Sequence, residues 1–261
     1  MAAVKWLGEP KSPKVALENL SVSYQGRPVL KHVSLVIPEG RLVAIIGPSG
    51  SGKSALLYAL NRMNETLPET RTEGRVLLNG ENIYAPGVDL QELRRRVPII
   101  FPRPIVFPQS IYDNVAFGLR YHGLASQGRV ADLVFESLRL VGLWDEVKGR
   151  LHRSALELTA GQRQLLCIAR ALALQPEVLL LDEPCGSLDA ISTLRVENLI
   201  QELKGRYTMV VVTHNMQEAA RISDETGFLL EGELVEYGST EQIFTQPQDE
   251  RTEQYLTGRL F

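Results

Sequence analysis

Residues 47–54 read GPSGSGKS, preceded by the apolar run Leu42-Val43-Ala44-Ile45-Ile46 and followed by Ala55-Leu56-Leu57-Tyr58-Ala59-Leu60. The order is strand, glycine-rich turn, helix, and it points to an α/β domain with a nucleotide at the turn. The spacing fits G-x-x-x-x-G-K-[ST]. In that pattern Gly47, Gly50 and Gly52, with Pro48, Ser49 and Ser51 between them, fold the backbone so that its N–H groups point inward at phosphate oxygens. Glycine has no β-carbon and so takes the positive φ angles such a turn needs. Lys53 is placed to reach the outer phosphates as a point charge and the Ser54 hydroxyl to ligate Mg²⁺, with the positive end of the following helix adding to the attraction. The stretch predicts a site for a nucleoside triphosphate. Glycine-rich turns between strand and helix are common, but one bracketed by an apolar strand and closed by Lys-Ser is specific.

Working outward, 261 residues suffice for one large α/β domain with a sizeable core, or two small ones. An apolar content of 44% and a charged content of 23% are those of an ordinary globular chain. The net charge of -3 gives no reason to expect nucleic acid as a partner. Two cysteines, Cys167 and Cys185, do not make a disulfide framework, and a reducing compartment is expected. The start MAAVKWLGEPKSPK lacks an apolar core long enough for a signal peptide. No apolar run approaches the roughly 20 residues of a membrane-spanning helix. Any membrane role must come through a partner.

Residues 1–14, with Pro10 and Pro13, read as an exposed lead-in to a single domain over 15–261. Val15–Ser23 and Val29–Ile37 predict an antiparallel pair joined at Gln25-Gly26-Arg27-Pro28. Arg75–Leu78 predicts a short strand, Leu90–Arg94 a helical turn with Arg94-Arg95-Arg96 as its solvated end, and Val97–Phe101 another apolar run cut off by Pro102. From Ser110 to about Leu174 the spacing of Leu133, Val134, Leu138 and Val141, then Leu165, Ile168, Ala169 and Leu172, is helical. This predicts a helical subdomain, at about 102–175, inserted into the α/β core. Further on, 189–204 predicts a helix, Met209–Thr213 a buried strand, and Thr226–Tyr237 two short strands turning at Glu231-Gly232.

Val178-Leu179-Leu180-Leu181-Asp182-Glu183 is a continuous apolar strand ending in two carboxylates, as suits a parallel strand buried on both faces. In a P-loop enzyme a carboxylate at such a strand end holds the Mg²⁺ shell, and Asp182 is placed for it. Glu183, pointing elsewhere, is placed to polarise an attacking water. His214 ends a later strand, on the edge where open α/β sheets bind ligands; on position alone a structural and a catalytic role weigh equally. Tyr24, near the tip of the first strand, could stack on adenine or simply pack at an edge, and the residues alone favour the second.

GPSGSGKS together with LTAGQRQ at 158–164, VLLLDEP at 178–184, SLD at 187–189 and His214 resembles the ATP-binding subunits of ABC transporters, in order and spacing. Within that superfamily, NRMNET at 61–66, GEN-IY-PGVDLQELRRRV at 80–97, FPQSIYDNVAFGLR at 107–120 and RTEQYLTGRLF at the end are similar to the ATP-binding subunits of phosphate-specific importers. The resemblance implies an ABC ATPase fold, with a mixed, largely parallel core sheet, an N-terminal antiparallel β subdomain and the inserted helical subdomain. It implies ATP and Mg²⁺ at Gly47–Ser54 and Asp182, Tyr24 on adenine, Glu183 as general base and His214 on the γ-phosphate. It implies that Thr159, Ala160, Gly161 and Gln162 act in trans, each ATP lying between one subunit's P-loop and the other's LTAGQ segment, with Asp189 at that interface. As a plain reading, Thr159 caps a helix; both readings can hold. The implied partners are a second ATPase subunit, identical or a paralogue, two transmembrane permeases and indirectly a periplasmic phosphate-binding protein. The implied location is the cytoplasmic face of the inner membrane.

Three positions depart from that pattern. Pro102 stands where the phosphate importers carry a Gln that reaches the Mg²⁺ and the membrane subunit, and proline offers no side-chain donor or acceptor. Gln109 lies seven residues on, too far to replace it. Ala160 replaces a Gly in LSGGQ, and if that position needs positive φ or close approach the methyl costs about 1 kcal/mol or more. Pro98 stands where a Gly is usual. These changes predict an effect on the rate and coupling of hydrolysis rather than on ATP binding. They leave open a weakly hydrolysing or regulatory subunit that works beside an intact paralogue.

Overall fold

The computed structural model describes residues 13–124 and 126–259. Of the expected lead-in, 1–12 lie outside these, and Pro13 and Lys14 already open the first strand. The strands are β1 (Pro13–Tyr24), β2 (Arg27–Pro38), β3 (Leu42–Ile46), β4 (Thr70–Leu78), β5 (Glu81–Asn82), β6 (Ile99–Ile100), β7 (Val178–Asp182), β8 (Thr208–Thr213), β9 (Glu225–Leu230) and β10 (Glu233–Ser239). The helices are α1 (Lys53–Ala59), α2 (Leu90–Arg96), α3 (Ile111–Tyr121), α4 (Gln127–Leu140), α5 (Trp144–Val147), α6 (Ala160–Leu172), α7 (Ala190–Leu203), α8 (Met216–Ile222), α9 (Thr240–Thr245) and α10 (Glu250–Leu256).

Two sheets result. One is antiparallel, in the order β2-β1-β4-β5; the other runs β10-β9-β3-β8-β7-β6, parallel except for the pairing of β10 with β9. Strands β3, β7 and β8 are buried at every residue, which is what an uninterrupted apolar run predicts for parallel strands covered on both faces. Leu179, Leu181, Met209 and Val211 face a core shared with α3, α4, α6 and α7. Val178, Leu180, Val210 and Val212 face the opposite core, shared with α1 and with β1, β2 and β4. Strand β1 instead buries alternate residues, as a half-covered antiparallel strand should.

Several local expectations shift. The β1–β2 connection is the two residues Gln25 and Gly26, both at positive φ (51° and 74°), a primed turn that matches the strand twist and takes Arg27 and Pro28 into β2. Strand β4 begins at Thr70 rather than Arg75, because its polar TRTEG half is held by pairing with β1, from Tyr24↔Thr70 onward, rather than by any apolar pattern. The run 97–101 yields only Ile99 and Ile100 as strand, between Pro98 and Pro102 and at the sheet edge where proline is tolerated.

Arg94-Arg95-Arg96 is not the solvated helix end that its charge predicts. Arg94 donates to the carbonyl of Arg62, Arg95 to Glu92 and to the carbonyl of Leu174, and Arg96 to Glu177 at 2.5 Å. The three arginines tie α2 to two other parts of the chain, the turn after α1 and the connection between α6 and β7. Among the described residues no helix is long and apolar enough to cross a membrane.

Candidate active site

Strand β8 lies between β3 and β7, with Ile46 opposite Thr213 and Asp182 opposite Val212. Their C-terminal ends therefore deliver the 47–54 loop, His214 and the Asp182-Glu183 pair to one edge, where open α/β sheets bind ligands.

The loop's shape is dictated by two glycines. At Gly47 (φ 154°) a β-carbon would lie 2.1 Å from the Leu229 carbonyl oxygen, and at Gly52 (φ 105°) it would lie 2.7 Å from that of Val29. Only a residue without a side chain passes these backbones. Gly52 also caps α1 with no side-chain bond to its first turn, unlike α2, α3, α6 and α7, whose caps accept from first-turn N–H groups. The Ser51 hydroxyl is buried without a hydrogen-bond partner. Lys53 Nζ curls back onto the carbonyls of Gly47 and Pro48, both at 2.8 Å. Burial lowers the Lys53 pKa, and Glu183 and Asp182 act against that.

Ser54 Oγ donates to Asp182 Oδ1 at 3.2 Å, and the Tyr58 hydroxyl donates to Asp182 Oδ2 at 3.1 Å. Burial raises the Asp182 pKa, while these two bonds work to lower it. Tyr58 is pushed up to about 12, first by burial and then by the Asp182 charge, so it remains a donor at neutral pH. An exposed serine hydroxyl and a carboxylate make an all-oxygen donor set, the chemistry of a hard cation such as Mg²⁺.

Glu183 sits at φ 43°, a left-handed angle rare for a side chain of its size, and its Oε1 meets His214 Nδ1 at 3.0 Å. Its backbone N–H donates to Val212 O at 2.9 Å, so strand β8 fixes both ends of this pair. Asn215 caps α8 immediately after His214, holding the histidine at a strand-to-helix corner.

A cleft of about 340 Å³ is lined by Tyr24, Ser49, Gly50, Gly52, Lys53, Ser54, Tyr58 and Glu183, among others. Tyr24 thus lines the same cleft as the loop, its hydroxyl buried without a partner. None of Thr159, Ala160, Gly161 and Gln162 lines this cleft. Thr159 and Gln162 form a capping box at the start of α6, and Gln162 Nε2 also donates to Glu146 at 2.7 Å. Asp189 is the cap of α7, accepting from the N–H of Ile191 and Ser192 at 3.1 and 3.0 Å. Hydrogen bonds from Ser192, backbone first and then hydroxyl, lower the Asp189 pKa.

The departures take physical form here. Ala160 is the first residue of α6, exposed and not at positive φ, so the backbone half of the cost expected of its methyl does not arise. The glycine that matters is Gly161, where a β-carbon would lie 2.3 Å from Ser192 Oγ. Pro98 accepts from Leu180 N–H at 3.0 Å and needs no donor at the sheet edge. Pro102 contributes only its carbonyl, which accepts from Ser187 Oγ at 2.7 Å. Gln109 lines a separate cleft with Asp113, Phe117, Arg120 and Tyr121.

Sequence reasoning gave no individual role to Tyr58, nor to Gln164 and Ser187, although the last two stand inside the LTAGQRQ and SLD stretches. Tyr58 was findable, since it lies four residues after Ser54 on α1 and so on the same helix face. Gln164, fully buried at the end of the LTAGQRQ stretch, donates to the carbonyls of Pro184 (3.0 Å) and Phe101 (3.4 Å), partners that no local pattern shows.

Residues 30–186 match the family described as ABC transporter. The chain is 54% identical over 245 residues to the Phosphate import ATP-binding protein PstB 1 of Vibrio cholerae, covering 94% of this chain and 90% of that protein. It superimposes on cbiO1 from Clostridium perfringens, part of the ABC transporter complex cbiONQ, with a TM-score of 0.79 over 95% of this chain and 97% of that one; at 24% identity this likeness speaks for the fold. The glycine-shaped loop, the Ser54–Asp182 and Glu183–His214 pairs and these matches agree: the chain belongs to the ABC transporter family, as an ATP-binding subunit.

Proposed function

We propose that this chain hydrolyses ATP to energise phosphate import, working with a second ATPase subunit on two membrane permeases at the inner face of the membrane, supplied by a periplasmic phosphate-binding protein. The observation that carries the solute is the 54% identity to the phosphate import protein over 94% of the chain.

In this reading the 47–54 backbone holds the phosphates, and Lys53 Nζ moves from the Gly47 and Pro48 carbonyls to the β- and γ-oxygens. Ser54 and Asp182 would hold Mg²⁺, which neutralises phosphate charge when bound. Tyr24 packs on the adenine. Glu183 accepts a proton from the attacking water as its oxygen bonds to the γ-phosphorus and the bridging P–O bond to ADP breaks. His214 holds Glu183 through Nδ1, leaving Nε2 for the γ-phosphate. The capped start of α6, Thr159 to Gln162, closes on the γ-phosphate of a second subunit's ATP, with Asp189 alongside. Reconstitution with its permeases and binding protein in liposomes tests the reading: ATP-dependent uptake of labelled phosphate is expected, and uptake no greater than with a Glu183→Gln subunit would refute it.

A second reading is favoured by Pro102, which brings no side-chain donor to the site: the chain pairs with a paralogue and hydrolyses ATP slowly alone. Brisk turnover by the purified chain alone would sink it.

A further inference from the structure

Asp182 is the hinge of the metal site, and its carboxylate is gripped at both ends. Oδ1 takes the Ser54 hydroxyl and Oδ2 takes the Tyr58 hydroxyl, at 3.2 and 3.1 Å. The terminal torsion of an aspartate is soft and roughly two-fold, so one bond leaves the group free to swing, and a second on the far oxygen selects one orientation. The Tyr58 ring is itself fixed, edge-to-face against Phe101 with centroids 6.4 Å apart. Phe101 is held in turn through its carbonyl by the buried Gln164. Among the described residues, Ser54 and Tyr58 are the side chains that donate to Asp182, and the neighbouring Phe101-Pro102 step offers an apolar ring and a proline. Mg²⁺ demands near-ideal octahedral geometry, so the orientation of the carboxylate that serves it matters directly.

We propose that Tyr58 is a positioning residue for the metal, its hydroxyl holding Asp182 so that Oδ1 faces Ser54 and the phosphates. The proposal rests on the reading of Ser54 and Asp182 as the Mg²⁺ pair. It assigns a role to a residue of the loop helix itself, four positions beyond the serine. It also explains why the hydroxyl of an aromatic side chain in the cleft is directed at the Asp182 carboxylate.

Tyr58→Phe removes the hydroxyl and keeps the ring and its contact with Phe101. With the purified full chain, Mn²⁺ serves as a paramagnetic stand-in for Mg²⁺, and its affinity in the presence of ATP is read by electron paramagnetic resonance. The expected result is a loss of about ten-fold in Mn²⁺ affinity, the low end for removing a partner of a metal ligand. ATP affinity in EDTA and the melting temperature stay at the wild-type values. The Mg²⁺ concentration that half-saturates ATPase activity rises in step, with kcat at saturating Mg²⁺ retained. An unchanged Mn²⁺ affinity overturns the proposal. So does an equal loss of metal-free ATP binding, which would mark Tyr58 as a packing residue. Asp182→Asn, measured alongside, separates the two layers: if it leaves Mn²⁺ affinity intact, the Ser54–Asp182 reading itself fails. If it removes Mn²⁺ binding while Tyr58→Phe does not, only the role of Tyr58 falls.

Discussion

Two stretches meet at the Tyr58 ring and are built in opposite ways. The loop 47–54 is rich in glycine and ends in an uncapped helix start, so what it offers is donors: backbone N–H groups, Lys53 and Ser54. The segment 98–105 carries Pro98, Pro102 and Pro104 and offers acceptors. Its carbonyls are taken one by one, Pro98 by the Leu180 N–H, Phe101 by Gln164, Pro102 by Ser187 and Ile105 by Arg170. One stretch is shaped from within by its own torsions, and the other is pinned from outside by a backbone N–H of β7 and by side chains of α6 and the turn before α7. A change inside the loop should therefore destroy the site, whereas a change in the segment's tethers should loosen it by degrees.

The largest effect expected lies just past the two stretches, at the bond between Glu183 and His214. Glu183→Gln keeps the shape and removes the base, so kcat should fall by about 10²–10⁴, the usual worth of a positioned general base, with ATP still bound. Single-turnover measurements with labelled ATP check it, and retained turnover would move the base elsewhere. Next comes Gly47→Ala. The new methyl would meet the Leu229 carbonyl, which belongs to β9 and cannot yield cheaply. A loss of roughly 3 kcal/mol or more is expected from clash and strain combined. Thermal unfolding and nucleotide titration should both show it. A well-folded Gly47→Ala that binds ATP would break the claim that the loop is shaped by its own torsions.

The same contrast explains what the sequence could tell. The loop, the Asp182-Glu183 strand end and the buried parallel strands were legible because each rests on a local rule: glycine torsion, a carboxylate at a strand end, a continuous apolar run. The early start of β4 was not, because its polar half is strand only through pairing with β1. The arginine run at 94–96 misled because charge alone does not show that Glu177 and the carbonyls of Arg62 and Leu174 lie within reach. For Ala160 the motif suggested a backbone strain that the helix does not carry, because the residue opens α6 at an ordinary helical φ. The residues that hold Pro102, Phe101 and Asp182 in place are each set by long-range contacts, apart from Tyr58, which helix spacing could have shown.

Glu177 anchors the start of the 98–105 segment. Its N–H donates to Arg96 O, and its carboxylate accepts from Arg96, Lys14 and Asn79 at 2.5, 2.6 and 2.7 Å. Burial alone would raise its pKa, but these bonds outweigh that and hold it at about 2, against an ordinary 4.5. A depressed carboxylate stabilises the fold above its unfolded pKa, and that share is lost as pH falls through the folded one. Glu177→Gln should cost about 1–2 kcal/mol at neutral pH, less than the shift alone implies because the site is partly hydrated. The difference from wild type in chemical unfolding should shrink between pH 4.5 and about 2. A pH-independent difference would show that the anchor is steric rather than ionic.

The smallest effect expected is the most diagnostic of the acceptor side. Ser187 Oγ, in the turn before α7, is an exposed donor to Pro102 O at 2.7 Å, and it ties the segment to the stretch that carries Asp189. Ser187→Ala should cost only about 0.5–1 kcal/mol of stability, the net worth of one partly hydrated hydrogen bond. Its consequence should be local. Pro102 and Pro104 have no amide to exchange, so the report comes from Phe101, Arg103 and Ile105, whose hydrogen exchange should speed up while amides of the 47–54 loop keep their wild-type rates. Equal acceleration in both stretches would mean that they move as one body, and the contrast between donor loop and tethered segment would then be a difference in bonding without a difference in behaviour.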